Sequence, residues 1–408
     1  MNTRALSQLL VSPGPTGVQA LLAALPSALS GEGAAIAPAE VGVPEQVRTA
    51  WNTAVRPDDR KAPLESDAAA VVLTTSGSTG APIGVLLSAA ALRAAANSAH
   101  DRLAGPGHWL VALPVTSVGG LMTIVRALVS ETRPVIWPGV GGAETFTPES
   151  FLASAELTLA QAGTEPAYVS LVPTQLQRIV SSGGPALAAL ARFSAVLVGA
   201  ADLPSQTRNP AVAAGVNVVR TYGMTETCGG FCYEGRPLGN MGLEIVEEDT
   251  HGVGRVVVSG PALALGYRLQ PDLTATRFTS TGLWTEDLGR LVDGRLTIVG
   301  RLDEMVKVGG VSVALPAVAA VLRAQVGISD AVAVARPDPE WGVRVVAVVV
   351  TSNSDVEGVE DLLPQLQRVV GDRLGRLAAP VAVRVVPEIP LLPNGKPDRV
   401  ALAALVER

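Results

Sequence analysis

In Ala69-Ala70-Val71-Val72-Leu73-Thr74-Thr75-Ser76-Gly77-Ser78-Thr79-Gly80-Ala81-Pro82-Ile83-Gly84, an uncharged apolar run passes directly into hydroxyls and glycines. Residues 69–73 read as a buried strand, because a short continuous apolar run bounded by turn residues suits a strand covered on both faces. The glycines that follow let backbone N–H groups converge on a concavity, so 74–84 predicts an anion cradle at a strand-to-helix turn. The same composition also makes an ordinary surface turn. It is neither the Gly-Lys-Ser/Thr phosphate loop nor a GxGxxG dinucleotide fingerprint. The common nucleotide folds are therefore disfavoured, while phosphate remains a fitting ligand.

Outward from this tract, apolar runs at 109–113, 135–137, 168–172, 195–198 and 216–220 alternate with Ala/Leu-rich amphipathic stretches at 88–104, 151–162, 174–181 and 186–193. Strand and helix in turn predict an α/β fold with mostly parallel sheets under helical cover. From Gly254 the texture shifts to short strands, 255–259 and 295–299, separated by turn signals such as Asp293-Gly294. That pattern predicts a small antiparallel β subdomain. Beyond Arg301 a small, mobile α+β unit is expected, with helices near 315–324 and 359–374 and strands at 331–335 and 343–351. A chain of 408 residues exceeds the ~250–300 at which one core usually stops growing, so two domains are expected, 1–301 and 302–408.

Composition narrows the function. A net charge of −6 with 17% charged residues leaves no electrostatic footprint for nucleic acid and no solvated tail. The longest uncharged apolar stretch, 109–125, is interrupted by Pro114, Gly119 and Gly120 and reads as strand plus helix rather than a membrane span. The first residues are too polar for a signal peptide, so a cytoplasmic chain is expected. Cys228 and Cys232, with scattered His100, His108 and His251, are too few for a metal held by Cys and His, which takes about four ligands. Only Lys61, Lys307 and Lys396 among the 31 basic residues are lysines. A lysine kept where arginine is the habit suits a compact point charge better than a planar fork.

Three further strings carry chemistry. Thr221-Tyr222-Gly223-Met224-Thr225-Glu226-Thr227 follows the strand at 216–220, beyond whose carboxyl end ligands of α/β sheets collect. Tyr222 offers a flat face for a purine, Thr225 a hydroxyl for phosphate and Glu226 a hard oxygen for Mg2+. Glu226 equally suits an ordinary carboxylate at a helix N-terminus. Then come Trp284-Thr285-Glu286-Asp287-Leu288-Gly289, Gly300-Arg301-Leu302-Asp303-Glu304 and Lys307-Val308-Gly309-Gly310, and near the end Leu391-Leu392-Pro393-Asn394-Gly395-Lys396-Pro397-Asp398. Singly, Asp287 reads as a turn residue and Lys396 as a solvated charge. In this order the strings do not co-occur by chance.

The ordered set resembles the adenylate-forming (AMP-binding) superfamily from about residue 69 to 399. Within it, His100-Asp101-Arg102-Leu103, Leu171-Val172-Pro173-Thr174-Gln175-Leu176 and Cys228-Gly229-Gly230 look like the ortho-succinylbenzoate:CoA ligases of menaquinone biosynthesis. The resemblance implies an acid–thiol ligase that uses ATP, Mg2+ and coenzyme A on a small-molecule carboxylic acid, and it suggests a homodimer. It assigns the ATP phosphates to Thr75, Ser76, Gly77, Ser78, Thr79 and Gly80, the adenine to Thr221, Tyr222 and Gly223, and phosphate and Mg2+ to Thr225 and Glu226. Asp287 and Arg301 would take the ribose, and Asp303 would be the hinge. Lys396 would bridge the carboxylate and the α-phosphate. After the second domain rotates, Lys307, Gly309 and Gly310 would close the thioester-forming site.

Two departures from the family pattern concern chemistry: Ile83 where the family usually has Lys, and Ser117 where it usually has His. One lost charge-assisted hydrogen bond is worth about 1.5–3 kcal/mol, about 10- to 150-fold. Glu286 replaces a usual Gly. The pocket candidates for an aromatic dicarboxylic acid are Ser117, Gly119, Gly120, Arg126, Cys228 and Gly229, most of which equally suit tight helix packing. Three readings stand: this ligase, a ligase for another acid, and a degraded nucleotide-binding homologue without catalysis. Joint retention of Lys396, Glu226 and Asp287 favours activity.

Overall fold

The computed structural model describes residues 4–76, 81–250, 252–351, 359–391 and 397–406. The tract that opens the sequence reading folds as a hairpin. Ala69–Ser76 pairs antiparallel with Pro82–Ser88, setting Thr75 opposite Ile83 and Ser76 opposite Pro82. This corrects the expected strand-to-helix turn. Val85, Leu86 and Leu87 form a second continuous buried run, which has a strand's apolar profile rather than a helical period. The helix waits until Ala89–Arg102, where the Ser88 hydroxyl accepts the Ala91 N–H at 3.0 Å as its N-cap.

By mutual contacts the chain parts into two units, Met1–Glu244 with Val257–Trp284, and Ile245–Val256 with Thr285–Arg408. The first unit holds two sheets. One orders Leu6–Val11, Ala35–Glu40, Ala69–Ser76, Pro82–Ser88 and Gly266–Tyr267, parallel across its first pairs and antiparallel after them. The other has five parallel strands, Val218–Met224, Ala195–Val198, Ala167–Leu171, His108–Val111 and Val135–Ile136. Gly229–Tyr233 and Arg236–Pro237 extend it antiparallel. Ala167–Leu171 and Ala195–Val198 are buried at every position, as expected of strands covered on both faces. Trp109 and Tyr168 stack at 4.8 Å in that core, each fully buried.

The second unit contains a hairpin in which Asp287 pairs with Arg301 and Val292 with Arg295. Its Asp293-Gly294 turn has positive φ at both positions, 51° and 69°, as the sequence signal requires. The following sheet orders Val311–Ala314, Met305–Val308, Gly342–Thr351 and Ile328–Asp338, with Ala382–Val385 alongside Gly342–Thr351. Val345, Ala347 and Val349 pack with helices Leu315–Arg323 and Val359–Leu374. Val346 and Val348 pack with Leu402 and Val406 of helix Arg399–Val406. Strand alternation thus feeds two cores from one strand. The contact division groups the 285–301 hairpin with this sheet, whereas the sequence boundary at 301/302 separates them. No helix among the described residues is long and apolar enough to cross a membrane.

Candidate active site

Thr221, Tyr222 and Gly223 lie within strand Val218–Met224, not in a loop after it. The ladder explains the glycine: a Cβ at Gly223 would lie 2.0 Å from the Gly229 carbonyl oxygen on the neighbouring strand. Tyr222 stands edge-on to Phe231 at 5.4 Å, and the Thr221 hydroxyl donates to the Val198 carbonyl at 3.3 Å. The strand ends in a tight turn, Thr225–Thr227, tied by the Thr227 hydroxyl, which accepts the Met224 N–H at 3.0 Å and donates to the Gly229 carbonyl at 2.7 Å. Thr225 is buried and Glu226 half-buried.

This turn packs against strand Pro82–Ser88, which leaves the glycine-rich tract. Thr75 therefore shares a hairpin with the strand against which the Glu226 turn packs. The Ser76 side chain and Gly77, Ser78, Thr79 and Gly80 lie outside the described residues. Glu226 is held twice: its carbonyl accepts the Ala264 N–H at 2.8 Å, and its carboxylate accepts the Tyr267 hydroxyl at 3.0 Å. Among the described residues no group of three or more His, Cys, Asp or Glu would hold a metal unaided. One hard carboxylate beside a buried hydroxyl instead fits Mg2+ that arrives on nucleotide phosphates, since that ion takes one or two carboxylates and keeps its phosphate ligands.

The acid-side candidates converge on helix Val118–Val129, which packs against strand Gly229–Tyr233. Ser117 is its exposed N-cap: its hydroxyl donates to the Pro114 carbonyl at 2.6 Å and accepts the Gly120 N–H at 3.4 Å. Gly120 is there for packing, because a Cβ would lie 2.2 Å from the Pro114 oxygen. Gly119 has more room, its nearest neighbour being Leu113 at 3.1 Å. Gly229, at φ 88°, faces Met122 and Val118 of the helix. Cys228 and Cys232 are buried thiols, each pushed up to about 12 by burial, so neither supplies a nucleophile near neutrality.

Arg126 is the informative member. It is 3% exposed, its Nη2 donates to the Tyr233 hydroxyl at 3.3 Å, and its guanidinium carbon lies 5.1 Å from the Trp109 ring centre. Its Nε and the Trp109 Nε1 are both buried donors without a partner. The nearby His100 imidazole is pushed down to about 4, by burial first and by Arg126 second, so it is neutral at pH 7. Among the described residues no carboxylate pairs with Arg126, which is unusual for a buried cation.

In the second unit, Arg301 Nη1 donates to Asp287 Oδ1 at 3.3 Å, and the Thr285 hydroxyl accepts the Asp287 N–H at 3.0 Å. Asp287 is 6% exposed, so it is not the turn residue it suggests when read alone. Glu286 pairs with Arg255 at 3.4 Å, which gives this departure from the family pattern a local partner. Lys307 is exposed on strand Met305–Val308, and Gly309 and Gly310, at φ 55° and 85°, form the turn into Val311–Ala314. The Gly309 N–H donates to the Trp341 carbonyl at 3.0 Å, and a Cβ there would lie 2.6 Å from the Trp341 ring. Asp303 sits in the short turn Leu302–Glu304, and Lys396 lies outside the described residues. Sequence reading missed Tyr267, Trp109, Tyr233 and Trp341, whose roles come from contacts across the fold.

The AMP-binding enzyme family model matches residues 15–268, and the AMP-binding enzyme C-terminal domain model matches 317–396. The probable 2-succinylbenzoate–CoA ligase of Mycobacterium tuberculosis is 37% identical over 397 residues, 96% of either chain. Sulfoacetate–CoA ligase of Cupriavidus necator is 31% identical over 360 residues, covering 83% of this chain and 68% of its own. The solved o-succinylbenzoate CoA synthetase of Bacillus subtilis, in complex with its acyl-adenylate intermediate, shares the fold with a TM-score of 0.72 at 19% identity, over 98% of this chain and 88% of that one. Matched in both its parts, and sharing over a third of its residues with a CoA ligase along nearly its whole length, the chain belongs to the AMP-binding enzyme family of adenylate-forming acid–CoA ligases.

Proposed function

We propose that the chain activates 2-succinylbenzoate with ATP, releases pyrophosphate, and passes the acyl group from the adenylate to coenzyme A, a step of menaquinone biosynthesis. The observation that carries the choice of acid is Arg126, a buried guanidinium with an unpartnered Nε and, among the described residues, no carboxylate paired with it. A second carboxylate on the substrate would supply that counter-charge, and the Trp109 Nε1 is a further donor in the same cluster. The mycobacterial relative supports this reading. The sulfoacetate–CoA ligase relative favours a second one, another acid with a distal anion, since sulfoacetate also carries one.

Attack of a carboxylate on the α-phosphate brings two anions together, so the transition state needs preorganised positive charge and donors. Mg2+ bound with the nucleotide supplies part of that charge. Glu226 holds the cation's side of the nucleotide, Thr225 and Thr75 bind phosphate, Tyr222 lies against adenine, and Asp287 with Arg301 takes the ribose hydroxyls. Lys396 bridges the attacking carboxylate and the α-phosphate. Asp303 acts as the hinge between domains 1–301 and 302–408, and the face with Lys307, Gly309 and Gly310 then meets the thiol of coenzyme A. Ile83 stands opposite Thr75 in the ladder, a strand position that a β-branched residue suits.

Exchange of labelled pyrophosphate into ATP tests the proposal, run with an acid panel that includes 2-succinylbenzoate and sulfoacetate. Strong exchange with 2-succinylbenzoate alone supports it, and no acid-dependent exchange defeats it. Lys396→Ala is expected to lower exchange by roughly 10²- to 10³-fold, as loss of one transition-state donor does.

A further inference from the structure

Gly266–Tyr267 is a two-residue strand outside every motif that reads as nucleotide-binding, yet it is mounted with unusual firmness. It pairs antiparallel with Pro82–Ser88, Tyr267 opposite Val85, directly beside the strand that leaves the glycine-rich tract. The next residue, Arg268, is 1% exposed, and its guanidinium donates to the carbonyls of Val55 at 2.9 Å and Pro63 at 2.6 Å, to that of Ala62, and to the Glu65 carboxylate at 3.0 Å. A guanidinium with its donors spent on the backbone of 55–63 fixes the strand that bears it. On the other side the Tyr267 N–H donates to the Thr274 hydroxyl at 2.9 Å.

From this mount the Tyr267 ring, 8% exposed, stands edge-on to Phe278 at 5.4 Å and aims its hydroxyl at Glu226 Oε1, 3.0 Å away and 41 residues earlier. A carboxylate oxygen can only accept from a phenol hydroxyl, so the Tyr267 hydroxyl is the donor. A donor on a carboxylate favours the charged form and restricts its torsions. The bond from the Ala264 N–H to the Glu226 carbonyl already anchors the backbone there. The phenol therefore adds a constraint on the side chain alone, and the side chain is what a cation contacts. We infer that Tyr267 is a positioning residue, which holds the Glu226 carboxylate in the orientation that receives the divalent cation carried by ATP. The inference rests on the reading of Glu226 as the cation ligand.

Tyr267→Phe removes the hydroxyl and leaves the ring contact with Phe278 and the bond to Thr274 in place. ATP affinity is measured by calorimetry with excess Mg2+ and with a chelator, and Mn2+ affinity of the enzyme–ATP complex by electron paramagnetic resonance, for wild type, Tyr267→Phe, Glu226→Gln and the double variant. One hydrogen bond to a charged acceptor predicts an about 10- to 100-fold loss of metal-dependent affinity in Tyr267→Phe, with metal-free ATP binding unchanged. The double variant should be no worse than Glu226→Gln, because residues that act through one another are not additive. Wild-type metal affinity in Tyr267→Phe, alongside a loss in Glu226→Gln, overturns the inference and spares Glu226. Wild-type metal affinity in Glu226→Gln overturns both. Loss of metal-free ATP binding in Tyr267→Phe, equal to the loss with metal, would make the phenol a structural prop and overturn the inference as well.

Discussion

Arg126→Met should lower activity on the diacid without lowering stability. The guanidinium is 3% exposed, with one hydrogen bond at 3.3 Å to a neutral hydroxyl and an unpartnered Nε. Its stacking on Trp109 at 5.1 Å returns about 2 kcal/mol when desolvated, against a burial penalty of several kcal/mol for an uncompensated ion. Desolvation wins, so methionine, unbranched and of similar reach, should leave the melting temperature unchanged or raise it. Binding goes the other way. If Arg126 receives a distal carboxylate, losing that charge-assisted contact costs about 1.5–3 kcal/mol, about 10- to 150-fold in kcat/KM. The assay is pyrophosphate exchange with 2-succinylbenzoate and with 4-oxo-4-phenylbutanoate, the same acid without its ring carboxylate. Wild type should favour the diacid, and Arg126→Met should lose that preference while handling the monoacid as before. An equal loss on both acids, or a marked fall in melting temperature, would refute the reasoning.

Gly223→Ala should destabilise by about 1–3 kcal/mol, the usual cost of overpacking, because its Cβ would meet the Gly229 oxygen at 2.0 Å; chemical denaturation reads the loss. His100 predicts a pH dependence: its folded value, about 4, lies below the ordinary 6.5, so the unfolded chain takes up the proton first. That contribution to stability is complete above pH 6.5 and is lost as pH falls towards 4, up to about 3 kcal/mol, and His100→Gln should flatten the curve in that range.

What the sequence shows and what it hides divide along the range of the interaction. Asp293-Gly294 states its own turn, because positive φ at two successive residues is a local demand. The β-branched run at 343–351 is likewise local and reappears as the strand Gly342–Thr351. The segment 77–81 is different: the same glycines and hydroxyls serve a hairpin or a helix entry, and only the apolar run after Pro82 distinguishes them. The first 60 residues hide their strand Ala35–Glu40 because Pro38 sits inside it, paired with Leu9, where proline normally argues against a strand. Arg126 and Tyr233 meet across 107 residues, and Glu226 and Tyr267 across 41, so no window of sequence contains either pair. The two units each carry part of the predicted nucleotide set, Tyr222 and Glu226 in one, Asp287 and Arg301 in the other, and motif order alone links them.

Ser117 shows why a departure from the family pattern need not weaken the choice of acid. Its hydroxyl gives its one hydrogen to the Pro114 carbonyl at 2.6 Å and accepts the Gly120 N–H, so it is spent on starting helix Val118–Val129. Arg126 lies nine residues on, about 13 Å along the axis at 1.5 Å per residue, beyond the reach of any contact from 117. On the proposed reading, a second anion would be selected at the far end of the helix rather than at position 117. Ser117→Ala should therefore cost about 1 kcal/mol of stability through the lost cap and keep the order of preference among acids. If it instead abolishes the preference for the diacid while folding normally, acid selection begins at the helix N-terminus, and Arg126 is no more than a buried structural cation.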